Sequence, residues 1–250
     1  FDFRVLSADD VRELLDMRSV VESNEGVYRQ RAEGKTDTWP TVFKVFEEGV
    51  SDLDIKSGYL AGAGVFGHKT VGWYGANPSK GLPALVGLIC VYDVVTGAPL
   101  GVLDGTYITG IRTGAVGGLG AKLLARPDSR TLLVVGAGGQ CAYQVAATLE
   151  LMEGVNHVIV ANPHHPESAV AKAKALPGQV AALGVRTEGV DFESADSLES
   201  ACAQADIIIT CTMSRKPMID RLWVRPGTHL SCIGADMAGK IEVGPQIVAD

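Results

Sequence analysis

The sequence lacks an excess of basic residues. Lys and Arg number 22 against 29 Asp and Glu, which gives a formal net charge of −7, and no cluster of basic residues interrupts this balance. Proteins that bind nucleic acid by neutralising its phosphates carry the opposite balance, concentrated on one face. We therefore expect a small-molecule partner and no nucleic acid.

Long apolar runs are also missing. The longest, from Leu82 to Tyr92, is far shorter than the roughly 20 residues that cross a bilayer. Neither a transmembrane helix nor a membrane partner is therefore expected. The chain starts Phe-Asp-Phe-Arg, without the basic and apolar regions of a secretory signal.

Cysteine is scarce and scattered. The five cysteines are odd in number and show neither the pattern of a disulfide framework nor the spacing of a zinc site. They are Cys90, Cys141, Cys202, Cys211 and Cys232. The pattern predicts reduced, buried thiols, no bound metal and a cytoplasmic protein.

Glycine, by contrast, is abundant. The chain has 30 glycines in 250 residues, well above the average usage of about 7%, which indicates close approaches of the backbone. Hydrophobic residues make up 46% and charged residues 20%, so the chain is expected to fold. Its length fits one large α/β unit or two modest domains.

The first half predicts an α+β domain. Apolar residues recur at helical spacing from Ser7 to about Gly34. Strands are predicted at Val65 to Trp73, Leu85 to Tyr92 and Ala98 to Leu103, mostly antiparallel because turn residues separate them closely. A long helix should then run from Gly105 to Ala125.

The second half alternates strands with helices, which is typical of a parallel sheet covered by helices on both faces. The predicted strands are Thr131–Val135, His157–Ala161, Ile207–Cys211 and His229–Ile233; the predicted helices are Gln140–Met152, Glu167–Leu176 and Ser197–Gln204. The fold class is therefore α/β, with a Rossmann-type domain over residues 116–250. The α+β domain is assigned to residues 1–115.

A glycine-rich turn joins the first of these strands to its helix, in the order Val135-Gly136-Ala137-Gly138-Gly139-Gln140. The first glycine of such a turn makes the tight bend, and the second lets the main chain approach a pyrophosphate at the helix N-terminus. The third position holds Cys141, a residue small enough for close packing. The sequence predicts a dinucleotide site here.

The next strand ends in Asn162 rather than in an acidic residue. A carboxylate at this position would bind the ribose 2′-hydroxyl of NAD, whereas Asn162 can bind a hydroxyl without repelling a phosphate. His164 and His165 follow, either near a 2′-phosphate or in a solvated loop. NAD and NADP both remain open.

Two basic residues fall on apolar faces. Arg112 shares a helix stripe with Ile108 and Ala115, and Lys69 shares a strand face with Val71. A buried cation requires an anion, which is an internal carboxylate or the carboxylate or phosphate of a ligand.

Asp236 follows the last predicted strand through Gly234-Ala235. This is the carboxyl end of the sheet, where open α/β folds bind ligands. Asp236 is therefore a candidate for proton transfer beside a nicotinamide, the alternative being an ordinary turn aspartate.

The order of these motifs resembles the ornithine cyclodeaminase and mu-crystallin family over nearly the whole chain. The motifs are Gly81-Leu82-Pro83, Asp104-Gly105, Ile111-Arg112-Thr113-Gly114-Ala115, the glycine turn, and Ile233-Gly234-Ala235-Asp236. The resemblance implies a homodimer formed through the N-terminal domain, a bound NAD(H) or NADP(H), and an amino or imino acid substrate.

The resemblance also implies roles for individual residues. Lys69 and Arg112 would hold the substrate carboxylate, with Lys69 also polarising the reacting group, and Asp236 would transfer the proton. The implied cofactor contacts are Arg112, Thr113, Gly136, Gly138, Gly139, Gln140, Asn162, Thr212, Leu230, Ser231, Cys232 and Ile233.

The sequence departs from the family at some positions. Lys44 is the best match for a further substrate-binding arginine, and a lysine cannot reproduce a bidentate carboxylate clamp, which argues against ornithine. Ala84 stands where some cyclodeaminases use a threonine against the cofactor. Family members also carry a C-terminal segment that returns to the N-terminal domain, which we do not expect within these residues.

The main hypothesis is an NAD(P)-dependent oxidoreductase that moves a hydride at the Cα of a small α-amino or α-imino acid. An ornithine cyclodeaminase, which returns the hydride and releases ammonia, is the alternative. A non-catalytic ligand-binding protein like mu-crystallin is less favoured, because that branch lacks the aspartate found here as Asp236.

Overall fold

The computed structural model describes residues 2–249 and divides into two compact units, one ending at Gly110 and the next starting at Ile111. The sequence predicts this boundary after residue 115. The division falls earlier because the start of the helix Thr106–Leu124 packs within the first unit. A Cβ on Gly105 would lie only 2.9 Å from the carbonyl carbon of Gly87.

The first unit contains two helices and a seven-stranded sheet. The helices are α1 (Ala8–Leu14) and α2 (Met17–Ala32). The strands are β1 (Arg4–Leu6), β2 (Thr36–Thr38), β3 (Val42–Glu47), β4 (Ser51–Leu60), β5 (Val65–Tyr74), β6 (Leu85–Asp93) and β7 (Pro99–Asp104). Their order is β1-β7-β6-β5-β4-β2, with β3 also paired to β4. The strands β4 to β7 form an antiparallel meander, in which the antiparallel pairing of β5, β6 and β7 is as predicted.

The predicted helix from Ser7 to Gly34 is in fact two helices. Leu15 adopts an extended conformation, which ends α1. The side chain of Asp16 then accepts a hydrogen bond from the Ser19 amide at 2.7 Å and caps α2. The strands β2 to β4 form where the sequence analysis predicted no element.

The second unit contains a five-stranded parallel sheet. After α3 (Thr106–Leu124), the strands are β8 (Thr131–Val135), β9 (His157–Ala161), β10 (Asp191–Ser194), β11 (Ile207–Thr210) and β13 (His229–Cys232). The helices are α4 (Gln140–Leu151), α5 (Pro166–Ala181), α6 (Leu198–Gln204) and α7 (Pro245–Ala249). A separate parallel pair joins β12 (Arg215–Ile219) to β14 (Ile241–Val243). The predicted α/β class with a Rossmann-type sheet is confirmed.

The strand order of the five-stranded sheet, β10-β9-β8-β11-β13, reverses between β8 and β11. From β8 the chain proceeds outward through β9 and β10, then crosses to β11 on the other side. In open α/β sheets, ligands bind at the carboxyl ends of the strands beside such a reversal. The fold therefore directs attention to the ends of β8, β9 and β11.

Glycines allow α3 to pack tightly on α4. A Cβ on Gly118 would lie 2.7 Å from the carbonyl group of Ala147, and one on Gly114 would collide with the backbone of Tyr143. Between them the fully buried Gln144 donates a hydrogen bond to the Thr113 carbonyl at 3.1 Å. Part of the glycine excess is thus explained by helix packing.

The cysteines follow the prediction only in part. All five are free, and Cys141 and Cys202 are buried, but Cys232 is exposed because it ends an edge strand. Within residues 2–249, no helix is long and apolar enough to cross a membrane. The same residues hold no group of three metal-binding side chains.

Candidate functional site

The glycine turn after β8 has the geometry of a phosphate cradle. Gly136 has a φ of +122°, and a Cβ there would lie 2.7 Å from the Cys211 carbonyl oxygen, so only glycine fits. Gly138 and Gly139 instead face open space. No side chain caps the start of α4, so its first amides can meet an anion.

A cavity of about 340 Å³ lies beside this turn at the carboxyl ends of β8, β9 and β11. It is lined by Gly136, Ala137, Gly138, Asn162, Pro163, His164, Cys211, Thr212, Met213, Ser214 and Met218. Four predicted cofactor contacts, Gly136, Gly138, Asn162 and Thr212, are therefore brought together. A cavity bordered by an open glycine backbone fits a dinucleotide.

Cysteines fill the space beneath the turn. Cys141 is fully buried, and burial raises the pKa of its thiol to about 12. Burial likewise raises the pKa of Cys211 well above its ordinary value, and its Sγ donates to the Gly136 carbonyl at 3.5 Å. Both groups stay protonated at neutral pH and contribute packing rather than nucleophilic chemistry.

A buried carboxylate binds Thr212, which lines the cavity. Glu242 on β14 is 1% exposed and accepts four hydrogen bonds. Its Oε1 accepts from the amide and the hydroxyl of Thr212, both at 2.7 Å. Its Oε2 accepts from the Thr210 hydroxyl at 2.8 Å and from the Gly234 amide at 2.9 Å. The sequence analysis missed Glu242, because its partners are up to 32 residues away.

Glu242 thereby joins two loops at the end of the sheet. One loop carries Thr212 and lines the cavity, and the other carries Gly234, two residues before Asp236. A Cβ on Gly234 would collide with the Thr212 backbone and would lie 2.6 Å from Glu242 Oε1. The two loops are therefore in direct contact.

Asp236 lies beyond the end of β13, at the carboxyl edge where the sequence predicts it. Its carboxylate forms an ion pair with Lys240 at 2.7 Å, and the two side chains are 64% and 11% exposed, respectively. An exposed carboxylate held by a largely buried ammonium has a fixed position and is open to a ligand. Lys240 was not among the predicted site residues.

Arg112 and Thr113 are half-buried on α3. The Thr113 carbonyl binds Gln144, whose amide also lies 3.5 Å from the side-chain oxygen of Gln140, the first residue of α4. Thr113 and Gln140 are thus linked through Gln144. Gly139, Gln140 and the segment Leu230 to Ile233 lie outside the residues that line the cavity.

Lys69 is half-buried on β5, as its apolar face predicts. Its Nζ donates to the Thr109 hydroxyl at 2.9 Å, and that hydroxyl donates to the Gly105 carbonyl at 2.6 Å. Lys69 is directly opposite Lys56 on β4. Lys56 forms an ion pair with Asp54 at 2.8 Å.

Lys44 does not lie beside Lys69. It is exposed on β3 and pairs with Leu53, which pairs with Gly72 on β5. Because successive residues of a strand point to opposite faces, Lys44 and Lys69 lie on opposite faces of the sheet. The sequence match could not reveal this, since the face depends on strand register.

Comparison with known proteins gives one family for the whole described chain. A family model described as the ornithine cyclodeaminase/mu-crystallin family matches residues 2–250. The alanine dehydrogenase of Archaeoglobus fulgidus is 33% identical over 244 residues, covering 98% of this chain and 70% of the relative. A delta(1)-pyrroline-2-carboxylate reductase of Paracoccus denitrificans is 37% identical over 194 residues, covering 78% of this chain and 58% of the relative.

Solved structures show the same fold. The Thermococcus litoralis delta(1)-pyrroline-2-carboxylate reductase with NADH and L-proline aligns with a TM-score of 0.86 and 29% identity, over 98% of this chain and 73% of that one. An archaeal alanine dehydrogenase dimer with bound NAD aligns with a TM-score of 0.86 and 32% identity, over 99% of this chain and 72% of that one. A lysine cyclodeaminase aligns with a TM-score of 0.83 and 29% identity, over 98% of this chain and 71% of that one.

Replacing Glu242 with Gln should destabilise the second unit. The two carboxylate oxygens each accept from a different backbone amide, so a glutamine in either orientation turns its NH₂ toward one of them. One buried amide then loses its acceptor, which should lower the free energy of unfolding by about 1–3 kcal/mol. Urea denaturation measures this.

The matched control is Glu153→Gln, at an exposed turn after α4, which should leave the denaturation midpoint unchanged. Equal midpoints for Glu242→Gln and the native chain would contradict the role assigned to this carboxylate.

Proposed function

This chain belongs to the ornithine cyclodeaminase/mu-crystallin family, and on that premise we propose that it moves a hydride at the Cα of a small α-amino or α-imino acid. The observation that carries the proposal is the open glycine cradle and its cavity at the reversal of the parallel sheet. A bound nicotinamide dinucleotide supplies the hydride donor or acceptor. The alanine dehydrogenase and the reductase described above act in the same chemical class.

We assign the dinucleotide to the second unit and the substrate carboxylate to Lys69 and Arg112. The glycine turn and the N-terminus of α4 bind the pyrophosphate. Arg112 can hold a carboxylate with two parallel hydrogen bonds, and Lys69 provides a second cation that polarises the reacting group. Lys69 is already held by its hydrogen bond to Thr109.

Asp236 is the proposed proton-transfer residue. In the oxidative direction a hydride leaves Cα, and the carboxylate accepts a proton from the substrate nitrogen as the C=N bond forms. In the reductive direction Cα receives the hydride and the nitrogen recovers the proton. The ion pair with Lys240 orients Asp236 for this transfer.

A cyclodeaminase is the second candidate, favoured by the similarity to the lysine cyclodeaminase structure. It would use the same hydride step, followed by loss of ammonia as the side-chain amine closes a ring. The hydride then returns, so the nicotinamide shows no net oxidation or reduction.

One assay separates the candidates. The full chain is incubated with NAD(H) or NADP(H) and a panel of amino acids, cyclic imino acids, and keto acids with ammonia. Absorbance at 340 nm and ammonia release are followed together. A net absorbance change supports the oxidoreductase, ammonia from a diamino acid without such a change supports the cyclodeaminase, and silence in both contradicts both.

Lys69→Ala and Arg112→Ala should each lower kcat/KM by about 10²-fold or more, because each removes a cation that positions the substrate carboxylate. Circular dichroism should show the fold retained. Lys35→Ala, at an exposed lysine of the first unit that is paired with Glu33, is the matched control. Normal turnover in both variants would refute the site assignment.

We also propose that the chain forms a homodimer through the first unit. The face of its sheet opposite Lys69 carries exposed apolar side chains on β6. Val86 and Leu88 on β6 are 38% and 49% exposed, and the rings of Phe66 and Tyr92 stack nearby with centroids 5.0 Å apart. An exposed apolar sheet face is typical of a subunit interface, and an alanine dehydrogenase relative is a dimer.

Leu88→Asp should dissociate this dimer, because it places a charge within the proposed interface. Light scattering after gel filtration should give the mass of one 26.2 kDa chain for the variant and twice that mass for the native protein. Leu222→Asp, at a 90% exposed leucine, should leave the mass unchanged. A monomeric native chain would exclude the proposal.

The cytoplasm is the proposed location. All five cysteines are free, and a reducing compartment keeps thiols in that state.

A further inference from the structure

The loop after β9 holds no carboxylate where NAD-binding folds of this class bind the ribose hydroxyls. Asn162 stands there, and its side chain is occupied by the loop. Its Oδ1 accepts from the amides of His164 and His165, at 3.3 and 3.2 Å, and its Nδ2 donates to the Ser168 hydroxyl at 2.8 Å. Asn162 thus fixes the conformation of the loop, and it brings no negative charge to the cavity that it lines.

A second cavity of about 510 Å³ adjoins the cofactor cavity at this loop. The two share Pro163, His164, Ser214 and Met218, and the second cavity adds Arg215, Lys216 and Pro217. Its lining therefore contains two permanent cations and a histidine and no acidic side chain. The nearby Glu167 is paired with His165 at 3.4 Å and is 76% exposed.

The lining of the second cavity is basic, although the net charge of the chain is −7. Arg215 and Lys216 begin β12, which pairs in parallel with β14 and has a register shift between Arg215 and Ile219. A phosphate monoester carries a charge of about −1.5 to −2 at neutral pH and accepts strong hydrogen bonds from guanidinium and ammonium groups. A ribose 2′-hydroxyl gains far less from such neighbours.

We propose that Arg215, Lys216 and His164 form a 2′-phosphate subsite, so that this chain binds NADP(H) in preference to NAD(H). The inference rests on the dinucleotide binding of the proposed function and not on its reaction. Two of the solved relatives described above were solved with NADH or NAD, and the proposed preference goes beyond what those complexes show.

Calorimetry on the full chain tests the subsite with NADP⁺, NAD⁺, 2′,5′-ADP and 5′-AMP. The 2′-phosphate should tighten binding by about tenfold or more in both pairs. The advantage should shrink as salt is added, because it depends on charge. Replacing Arg215 and Lys216 together with Ala should abolish the preference and leave the Kd for NAD⁺ within about twofold.

The control is Lys174→Ala, an exposed lysine on α5 outside both cavities, which should not change the preference. Asn162→Asp keeps the oxygen that accepts from the His164 and His165 amides, loses the donor to the Ser168 hydroxyl and adds a negative charge, so it should reverse the preference toward NAD⁺. Equal or tighter binding of NAD⁺ by the native chain would overturn the subsite alone. Failure to bind either dinucleotide would overturn the proposed function as well.

Discussion

The four hydrogen bonds accepted by Glu242 hold the end of the parallel sheet together. A carboxylate that is 1% exposed would cost several kcal/mol if it were unsatisfied. Here two hydroxyls and two backbone amides surround it, on Thr210, Thr212 and Gly234. Charge-assisted bonds to backbone amides are shorter and stronger than neutral ones. The carboxylate therefore fixes two loops that regular secondary structure leaves free.

The site is consequently built from backbone more than from side chains. Gly136 passes the carbonyl of Cys211 where no Cβ fits, and Gly234 does the same at Thr212. These contacts bring the end of β8, the loop after β11 and the loop before Asp236 within one small region. Side chains that bind a ligand, such as Asp236 with Lys240, then extend from a backbone already held in position.

Local patterns predicted much of the second unit. The strand Thr131–Val135 is apolar after its first residue, and the glycine turn follows it directly, so both signals lie within ten residues. The same kind of reasoning failed at Leu15. The apolar periodicity continues there, but α1 ends and Asp16 caps the start of α2. It also missed β4, in which Ser, Asp and Gly interrupt the apolar residues.

Contacts that are distant in sequence could not be predicted in this way. In the sequence, Glu242 cannot be told from an exposed glutamate, because its partners lie 8, 30 and 32 residues away. The side of the sheet that Lys44 occupies depends on the register of two strand pairs. The basic residues that line the second cavity likewise come from β12 and from the loop after β9. Of these residues, only the histidine of the loop is a candidate phosphate ligand from the sequence.

Strand register also bears on the choice between the two candidate reactions. On β3 the residues that share the face of Lys69 are Phe43 and Val45, since they pair with Asp54 and Asp52 on β4. The carboxylate of Asp54 is bound by Lys56. A diamino acid brings a second ammonium, which needs an acceptor of its own when it leaves water. The strand beside Lys69 is β4, which presents Asp52 and Asp54 on this face, whereas Phe43 and Val45 lie one strand further away. A diamino acid would therefore have to compete with Lys56 for Asp54 or use Asp52, whereas a small uncharged side chain needs no such acceptor.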